Sequence, residues 1–135
     1  RVNFPGCFAS EYNNYSVIQT RSGGSVYYFK PDVYQDDGAP IDVIIRTSKI
    51  DADTNKKKFH KSAEVIGDKV DSEALLRYTD DDYQTWSYYR TVDLLLDRSR
   101  VSRLGSGRRR AYELRHNANT AFRAEALEID VTEGV

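Results

Sequence analysis

Apolar residues recur at every second position in several parts of the chain, which is the pattern of a β-strand with one buried face. Ile41, Val43 and Ile45, for example, alternate with Asp42 and Arg46 and predict a half-buried strand. Segments of this kind predict seven or eight strands, at about residues 15–21, 25–30, 41–46, 58–70, 74–78, 88–96, 112–115 and 127–131. Turn-forming glycine and aspartate residues separate them. This succession is typical of an all-β fold, an antiparallel β-sandwich or jelly roll.

Two of these regions are also compatible with a helix. In 58–70 the apolar residues Phe59, Ala63 and Val65 share one parity, so in a strand they would face the same side of the sheet, towards the core. A glycine and several β-branched residues favour a strand there. Residues 121–128 have a helix-friendly composition, but the alternation that follows them is that of a strand.

The chain of 135 residues has the length of a single domain and is long enough to bury a hydrophobic core. Residues 1–14 show no clear period and predict a loop or an N-terminal arm. Residues 15–135 are predicted to form one β-sandwich domain, because neither an internal repeat nor a low-complexity linker interrupts them.

Composition narrows the classes of function. The formal net charge is −1, so no overall electrostatic field attracts the chain to nucleic acid or to an anionic membrane. No apolar run approaches the roughly 20 residues that a membrane-spanning helix needs, and we expect no membrane partner. Ten tyrosines favour strands and contact surfaces, because one end of the ring is apolar while the hydroxyl stays hydrated.

Residues suited to catalysis are few. The chain has two histidines, His60 and His116, and one cysteine, Cys7, which are too few ligands for a zinc site of the usual kind. Gly105 and Gly107 precede arginines but lack the pattern of a phosphate-binding loop. We therefore expect no catalytic residues, no metal and no cofactor. A small hydrolase that combines one histidine with a carboxylate and a nucleophile is the alternative that ranks last.

One eight-residue stretch resembles the Asp-box, a β-hairpin turn motif with the pattern Ser/Thr-x-Asp-x-Gly-x-Thr-Trp. Thr79, Asp81, Thr85 and Trp86 match this pattern, and Tyr83 stands where glycine is usual. Asp81 is expected to accept hydrogen bonds from the turn amides, while Trp86 covers the sheet beneath. The motif is structural in the proteins that contain it, so it predicts a hairpin and not glycosidase activity.

A run of arginines without any intervening acidic residue is the strongest charge feature of the chain. Its members are Arg98, Arg100, Arg103, Arg108, Arg109 and Arg110. Such a cluster can contact the phosphate backbone of DNA without selecting a base sequence. Alternatively, the arginines form salt bridges with neighbouring carboxylates or with a partner subunit. The nearly neutral net charge favours the second interpretation.

The C-terminal half also contains a succession of short motifs. They are YTDDD at 78–82, TWS at 85–87, RTV at 90–92, RLG at 103–105, RRRAYELR at 108–115 and AFRAEALEIDV at 121–131. This succession resembles the final strands of the packaged-DNA stabilisation or tail-nozzle proteins of short-tailed bacteriophages. YQDDGAPI at 34–41 fits the loop that leads into this region in the same proteins. The resemblance spans about residues 26–134, and residues 1–25 lie outside it.

The resemblance implies a β-rich, non-catalytic structural protein of the virion, made in the host cytoplasm and assembled into the tail. Its partners would be other tail proteins, or copies of itself in a ring around the DNA exit channel. The arginines would then face the backbone of the phage DNA or bridge subunits. The proteins of this family are much longer and often contain a propeller, so the chain would correspond to a terminal module of a larger β-rich tail protein.

The composition supports a second function from a different class, a carbohydrate- or receptor-binding β-sandwich. Its surface tyrosines and Trp86 would stack on sugar rings. Burial of Trp86 and of the neighbouring Tyr88 and Tyr89 beneath other strands would remove the main support for this alternative.

Overall fold

The computed structural model describes residues 6–20 and 23–134, and within 6–8 it describes the backbone alone. This part of the chain contains thirteen strands and no helix. The strands are β1 Gly6–Tyr12, β2 Tyr15–Thr20, β3 Val26–Tyr28, β4 Gln35–Asp36, β5 Ala39–Pro40, β6 Val43–Arg46, β7 Lys58–Gly67, β8 Glu73–Thr79, β9 Arg90–Asp93, β10 Arg100–Ser102, β11 Ser106–Gly107, β12 Ala111–His116 and β13 Ala124–Glu133. Every pairing between these strands is antiparallel.

Two four-stranded sheets form the main body. In the first sheet the strand order is β6-β12-β8-β9. In the second sheet β7 is central: β13 pairs along one edge of it, and β10 and β11 pair along the other. The hydrophobic core contains side chains from both sheets, such as Ala63 and Val65 of the second and Leu76, Val92 and Leu114 of the first. The predicted all-β sandwich is therefore confirmed.

The eight predicted strands coincide with β2, β3, β6, β7, β8, β9, β12 and β13. The two regions that were also compatible with a helix are strands, since β7 and β13 form the longest pairing of the second sheet. Five strands were not predicted, and four of these have only two or three residues. A segment that short has no measurable period.

A β-bulge in β7 reverses the parity of its side chains. The pairing of β7 with β13 passes over Lys61, so the strand carries one extra residue there. Ala63 after the bulge and His60 before it are both buried, and Phe59 is turned outward with 51% of its surface exposed. The expectation that Phe59 faces the core together with Ala63 is therefore wrong, because an inserted residue moves every side chain before it to the other face.

The edge strand β6 is more exposed than its alternating pattern predicts. Val43, Ile44 and Ile45 are all exposed, and so is Ile41 just before the strand. β6 pairs only with β12 among the described strands, and it lies at the border of the first sheet, where the second sheet does not cover it. The expectation of a half-buried strand is wrong here, because alternation does not reveal whether a strand is central or at an edge.

Strands β1, β2 and β3 form a separate three-stranded sheet in that order. Asn13 and Asn14 both have positive φ values and connect β1 to β2 as a tight two-residue hairpin turn. Residues 6–14, expected to be a loop or an arm, are thus a strand and its turn, while residues 1–5 lie outside the described residues. No described residue of this sheet belongs to the sandwich core or is packed against it.

The bulge can be tested by comparing substitutions of a core residue and of Phe59, which the bulge places outside the core. Leu76 is 1% exposed in the centre of the sandwich, and we expect Leu76→Ala to lower the free energy of unfolding by about 2–5 kcal/mol. Phe59→Ala removes a larger side chain, yet it should lower this free energy by only about 1 kcal/mol or less, because Phe59 lies outside the core. Urea denaturation of both variants checks this. Equal losses would place Phe59 in the core and contradict the bulge.

Candidate functional site

The arginines of the 98–110 segment do not line one continuous surface. Five have exposed side chains, and the sixth, Arg110, is 1% exposed. Arg98 forms an ion pair with Glu64, with its Nη2 atom 2.8 Å from Oε2. The Nη1 atom of Arg108 donates to the carbonyl oxygen of Asn55 at 2.7 Å. In the part of the chain that the structure describes, Arg100, Arg103 and Arg109 are the candidate arginines whose side chains have no hydrogen bond or ion pair.

Arg110 is an internal cross-link. Its guanidinium binds both carboxylate oxygens of Asp80 at 2.8 Å, and Nη1 donates to the carbonyl of Leu104. The guanidinium carbon lies 3.8 Å from the centre of the Tyr78 ring, within the range of a cation–π contact. A Cβ atom at Gly107 would lie 2.4 Å from Oδ1 of Asp80, so only glycine fits beside this pair. Its burial removes Arg110 from the residues available for DNA or subunit contact.

Two more polar side chains are buried near this ion pair. Lys58 is 1% exposed, and its ammonium group donates to three carbonyl oxygens at 2.6–2.8 Å, which satisfies all its donors. His60 Nδ1 is 2.8 Å from the hydroxyl of Tyr112, while its Nε2 atom is buried without a partner among the described residues. Burial and the positive charge of Arg110 lower the pKa of His60 to about 4. The histidine is therefore neutral near pH 7.

The Asp-box-like stretch forms a turn centred on Asp81. One oxygen of its carboxylate accepts from the Thr79 hydroxyl and the Thr85 backbone NH, both at 2.8 Å. The other accepts from the Thr85 hydroxyl. The hydrogen bonds from the side chain and backbone of Thr85 lower the pKa of Asp81 to about 2. Asp82 and Tyr83 have φ values of +60° and +66°, so Tyr83 adopts the left-handed conformation for which the Asp-box pattern normally uses glycine.

Trp86 follows this turn and packs on arginine side chains on the outer face of the first sheet. The guanidinium carbon of Arg77 lies 4.6 Å from the ring centre of Trp86 and 4.6 Å from that of Tyr89. Arg46 lies 5.4 Å from the Trp86 ring. Trp86 and Tyr89 are thus half-buried around Arg77, whereas Tyr88 is 95% exposed.

Glu113 lies beneath these side chains and was not singled out in the sequence. It is fully buried and accepts from Arg46 at 2.7 Å, from Arg77 at 2.9 and 3.0 Å, and from the Tyr89 hydroxyl at 2.8 Å. Burial alone would raise its pKa, but these hydrogen bonds lower the pKa of Glu113 to about 2. The only sequence signal was its position between Tyr112 and Leu114, and the partners are too distant along the chain to be recognised without the strand pairing.

The described residues offer little for catalysis. They contain no group of three or more histidine, cysteine, aspartate or glutamate side chains that could hold a metal ion. The Nδ1 atom of His60 contacts the hydroxyl of Tyr112. The Nε2 atom of His116 contacts the hydroxyls of Ser72 and Thr120 at 3.1 and 3.2 Å. The two histidines are therefore in separate polar contacts. The side chain of Cys7 lies outside the described atoms.

One face of the three-stranded sheet, which we call the aromatic face, is not covered by any other described part of the chain. The side chains that form it are Ser10, Tyr12, Asn13, Tyr15, Val17, Val26 and Tyr28. The rings of Tyr15 and Tyr28 pack edge to face, with their centres 5.3 Å apart. Tyr12, Val26 and Tyr28 are each more than half exposed. None of these side chains is charged, so the face is apolar apart from the hydroxyl groups and the amide of Asn13.

A second uncovered region, which we call the edge groove, lies where β6 and β12 of the first sheet approach β13 of the second. It encloses about 210 Å³ and is lined by Ile45, Thr47, Tyr112, Leu114, Ala124, Glu125, Ala126 and Leu127. β6 and β13 are border strands of their sheets, and each has one unpaired edge among the described strands. Unpaired edges beside apolar side chains are sites at which another chain can add.

The accessible surface of the chain is large for its mass. It measures 9568 Å², whereas a folded monomer of 15.5 kDa exposes about 7,200 Å². An excess of roughly 2,300 Å² is expected where a three-stranded sheet lies outside the sandwich core, because such a chain is less compact than a single body of the same mass. An exposed aromatic face and an open groove contribute to this excess.

In comparisons with known proteins, no protein-family model and no curated protein sequence matches the chain. Among the residues that the structure describes, none forms a helix long and apolar enough to cross a membrane.

The buried ion pair can be compared with an exposed one of the same type. Asp80→Ala leaves the guanidinium of Arg110 buried without its carboxylate, and we expect a loss of about 3–5 kcal/mol in the free energy of unfolding. Asp42 also binds an arginine, Arg115, through two oxygens, but this pair is partly exposed. Asp42→Ala should therefore cost about 1 kcal/mol or less. Urea denaturation at pH 7 measures both, and similar small losses would contradict the structural role of Arg110.

His60 should make stability depend on pH. Its pKa is about 4 in the folded chain and 6.5 in a free histidine, so between these values the unfolded chain takes up a proton that the folded chain does not. The contribution of His60 to stability is therefore complete above pH 6.5 and falls, by up to about 3 kcal/mol, as the pH drops to 4.

His60→Asn removes this titration and retains an acceptor for Tyr112. We expect the difference in unfolding free energy between the native chain and His60→Asn to shrink steadily from pH 7 to pH 4. Burial lowers the pKa of His116 too, so the control is His116→Asn measured alone: it leaves His60 in place, and its stability should still fall between pH 7 and pH 4. A difference that stays constant over this range would show that His60 is not held neutral.

Proposed function

We propose that the chain is a non-catalytic structural module of a tailed-bacteriophage tail, which acts through contacts with other tail proteins or with copies of itself. The observation that carries the proposal is the presence of two uncovered apolar surfaces among the described residues, the aromatic face and the edge groove. A chain that leaves an aromatic face, a groove and several strand edges uncovered is suited to an assembly in which neighbours cover them.

The assignment to a phage tail comes from the motifs between residues 34 and 131, which resemble the final strands of tail-nozzle and packaged-DNA stabilisation proteins. The polar interior supports a structural function. Glu113, Arg110 and Lys58 are buried and each has partners within the chain, and these contacts rigidify the fold.

The exposed arginines add a second type of contact. Arg100, Arg103 and Arg109 are available to a partner subunit or to the backbone of the phage DNA. Arg98 and Arg108 have partners within the chain, in line with the interpretation that part of the run forms internal contacts. In the virion, the three available arginines would supply charged contacts outside the apolar surfaces.

A carbohydrate- or receptor-binding module is the second candidate, and the aromatic face is the observation that favours it. Tyr12, Tyr15 and Tyr28 present exposed rings next to the polar groups of Ser10 and Asn13, a combination that suits stacking on sugars. Trp86 and Tyr89 contribute less, since Arg77 occupies the space between their rings.

The location of the protein tests the first proposal. We expect mass spectrometry of purified particles encoded by the same genome to detect peptides of this chain, and disruption of its reading frame to yield particles with defective tails. Particles that lack the peptides and retain complete tails would overturn the proposal. A glycan array probed with the native chain and with Tyr28→Ala examines the second candidate, which requires signals that the variant loses.

A further inference from the structure

His60 lies among buried polar groups between the two sheets, and one of its ring nitrogens has no partner there. The residue is 2% exposed, its Nδ1 atom is 2.8 Å from the Tyr112 hydroxyl, and its Nε2 atom has no hydrogen-bond partner among the described residues. A neutral imidazole can keep its hydrogen on Nδ1, whereas a protonated ring carries one on each nitrogen. Protonation of His60 therefore places a charge and an unpaired N–H donor in the protein interior.

The charges around this imidazole are mostly positive. The charged or titratable groups that face it come from β7, from the turn after β8 and from β12 with the residue before it: Lys58, Asp80, Arg110 and Tyr112. Burial lowers the pKa of His60 most, the two cations lower it further, and the carboxylate raises it. This carboxylate already binds Arg110 through both oxygens. Leu104 and Val131 adjoin His60 on the two sides of β7, and neither titrates. A protonated His60 thus makes three positive charges beside one carboxylate.

The part of the second sheet with the weakest attachment beside His60 is residues 99–107, which we call the border segment. It contains β10 and β11, which pair with β7 over three and two residues, whereas β13 pairs along the full length of β7. Leu104 and Gly105 of the segment hydrogen-bond the backbone of His60 itself. Arg103 has a φ of +60°, in the left-handed region that is unfavourable for a residue with a side chain. On its other edge the segment pairs with no described strand.

We propose that protonation of His60 releases the border segment from β7, so that acid opens this edge of the second sheet while the rest of the sandwich stays folded. The cations beside His60 are also groups that hold the segment in place. Lys58 Nζ donates to the carbonyl oxygen of Arg108, directly after the segment, at 2.8 Å. Arg110 Nη1 donates to the carbonyl oxygen of Leu104 within it. A charge on His60 repels both cations, and release of the segment lets water reach the imidazole. The change takes place within one chain and does not depend on the proposed function.

Contacts on either side keep the released segment close to the fold. Before it, Arg98 pairs with Glu64 at 2.8 Å, and this hydrogen-bonded pairing lowers the pKa of Glu64, so the carboxylate stays ionised to lower pH than an unpaired glutamate. After it, Arg110 retains its contacts with the carboxylate on the first sheet. The opened segment is therefore a loop held at both ends. It exposes Val101 and Leu104, which are only 5% and 1% exposed in the closed form.

Hydrogen exchange of backbone amides in the native chain measures this opening segment by segment. We expect the protection of residues 99–107, corrected for the intrinsic exchange rate at each pH, to fall on the order of 100-fold from pH 7 to pH 4. This factor follows from a His60 pKa of about 4 in the closed form and 6.5 in a solvated histidine, so the loss begins as the pH drops below 6.5. Residues 124–133 of β13 should remain better protected than the border segment over the whole range, because they exchange only through larger openings.

Two variants assign the opening to His60. His60→Asn does not titrate between pH 7 and pH 4, so the protection of its border segment should stay nearly constant. It keeps Asp80, so any contribution of that carboxyl would persist in the variant. His116→Asn is the matched control, because it leaves His60 in place and changes a histidine that contacts Ser72 and Thr120. Its border segment should lose protection as in the native chain.

The remaining outcomes overturn the proposal. Equal protection of the border segment and of β13 at pH 4 would show that the edge opens only when the whole sandwich unfolds. A loss of the same size in His60→Asn would show that another group drives the opening, and protection that does not change with pH would show that the segment stays closed. If circular dichroism at pH 7 shows that His60→Asn is unfolded, His60→Gln takes its place, and the comparison of the two segments in the native chain needs neither variant.

Discussion

The ion pair between Arg110 and Asp80 links segments that the backbone alone leaves separate. Arg110 precedes β12 of the first sheet, Asp80 begins the turn after β8, and the carbonyl of Leu104 lies between β10 and β11 of the second sheet. A buried guanidinium destabilises a protein unless its donors are satisfied. Here a carboxylate, a carbonyl and the ring of Tyr78 do so together, and they come together only when both sheets are in place. This interaction therefore makes the formation of the turn and of the two sheets interdependent.

Strands β8, β12 and β13 could be predicted from the sequence because one face of each lies in or against the core, and its inward positions are mostly apolar. The seven-residue strand β1 could not, because residues 1–14 show no clear period. β10 and β11 could not, since two or three residues show no period. The bulge at Lys61 leaves no mark in the residue types, so the outward position of Phe59 followed only from the pairing with β13. Arg110 likewise resembles the two arginines before it. Its partner Asp80 is 30 residues away, and only the folded chain distinguishes the buried arginine from the exposed ones.

The uncovered rim of the sandwich connects the fold to the proposed assembly. A sandwich buries inner faces only where its two sheets overlap, and β6 lies beyond that overlap. Proteins that remain monomeric commonly place charges along such an edge. Within β6 only Arg46 is charged, and it is directed to Glu113, so Val43, Ile44 and Ile45 remain exposed. Exposed apolar residues along an unpaired edge are what the proposed assembly requires of this strand.

The distribution of charge around the exposed arginines suits one kind of partner, protein or DNA, better than the other. A surface that binds DNA backbone gains affinity from cations that are concentrated without intervening carboxylates. On the outer face of the second sheet, Arg98 and Arg100 lie next to Glu64, and Glu128 is opposite Glu64 on β13. A surface of both signs suits a protein partner that also carries both signs better than it suits a phosphate chain. In the proposed assembly the charged contacts would be separate from the apolar ones, so salt would weaken the charged contacts and leave contacts at the aromatic face and the edge groove largely unaffected.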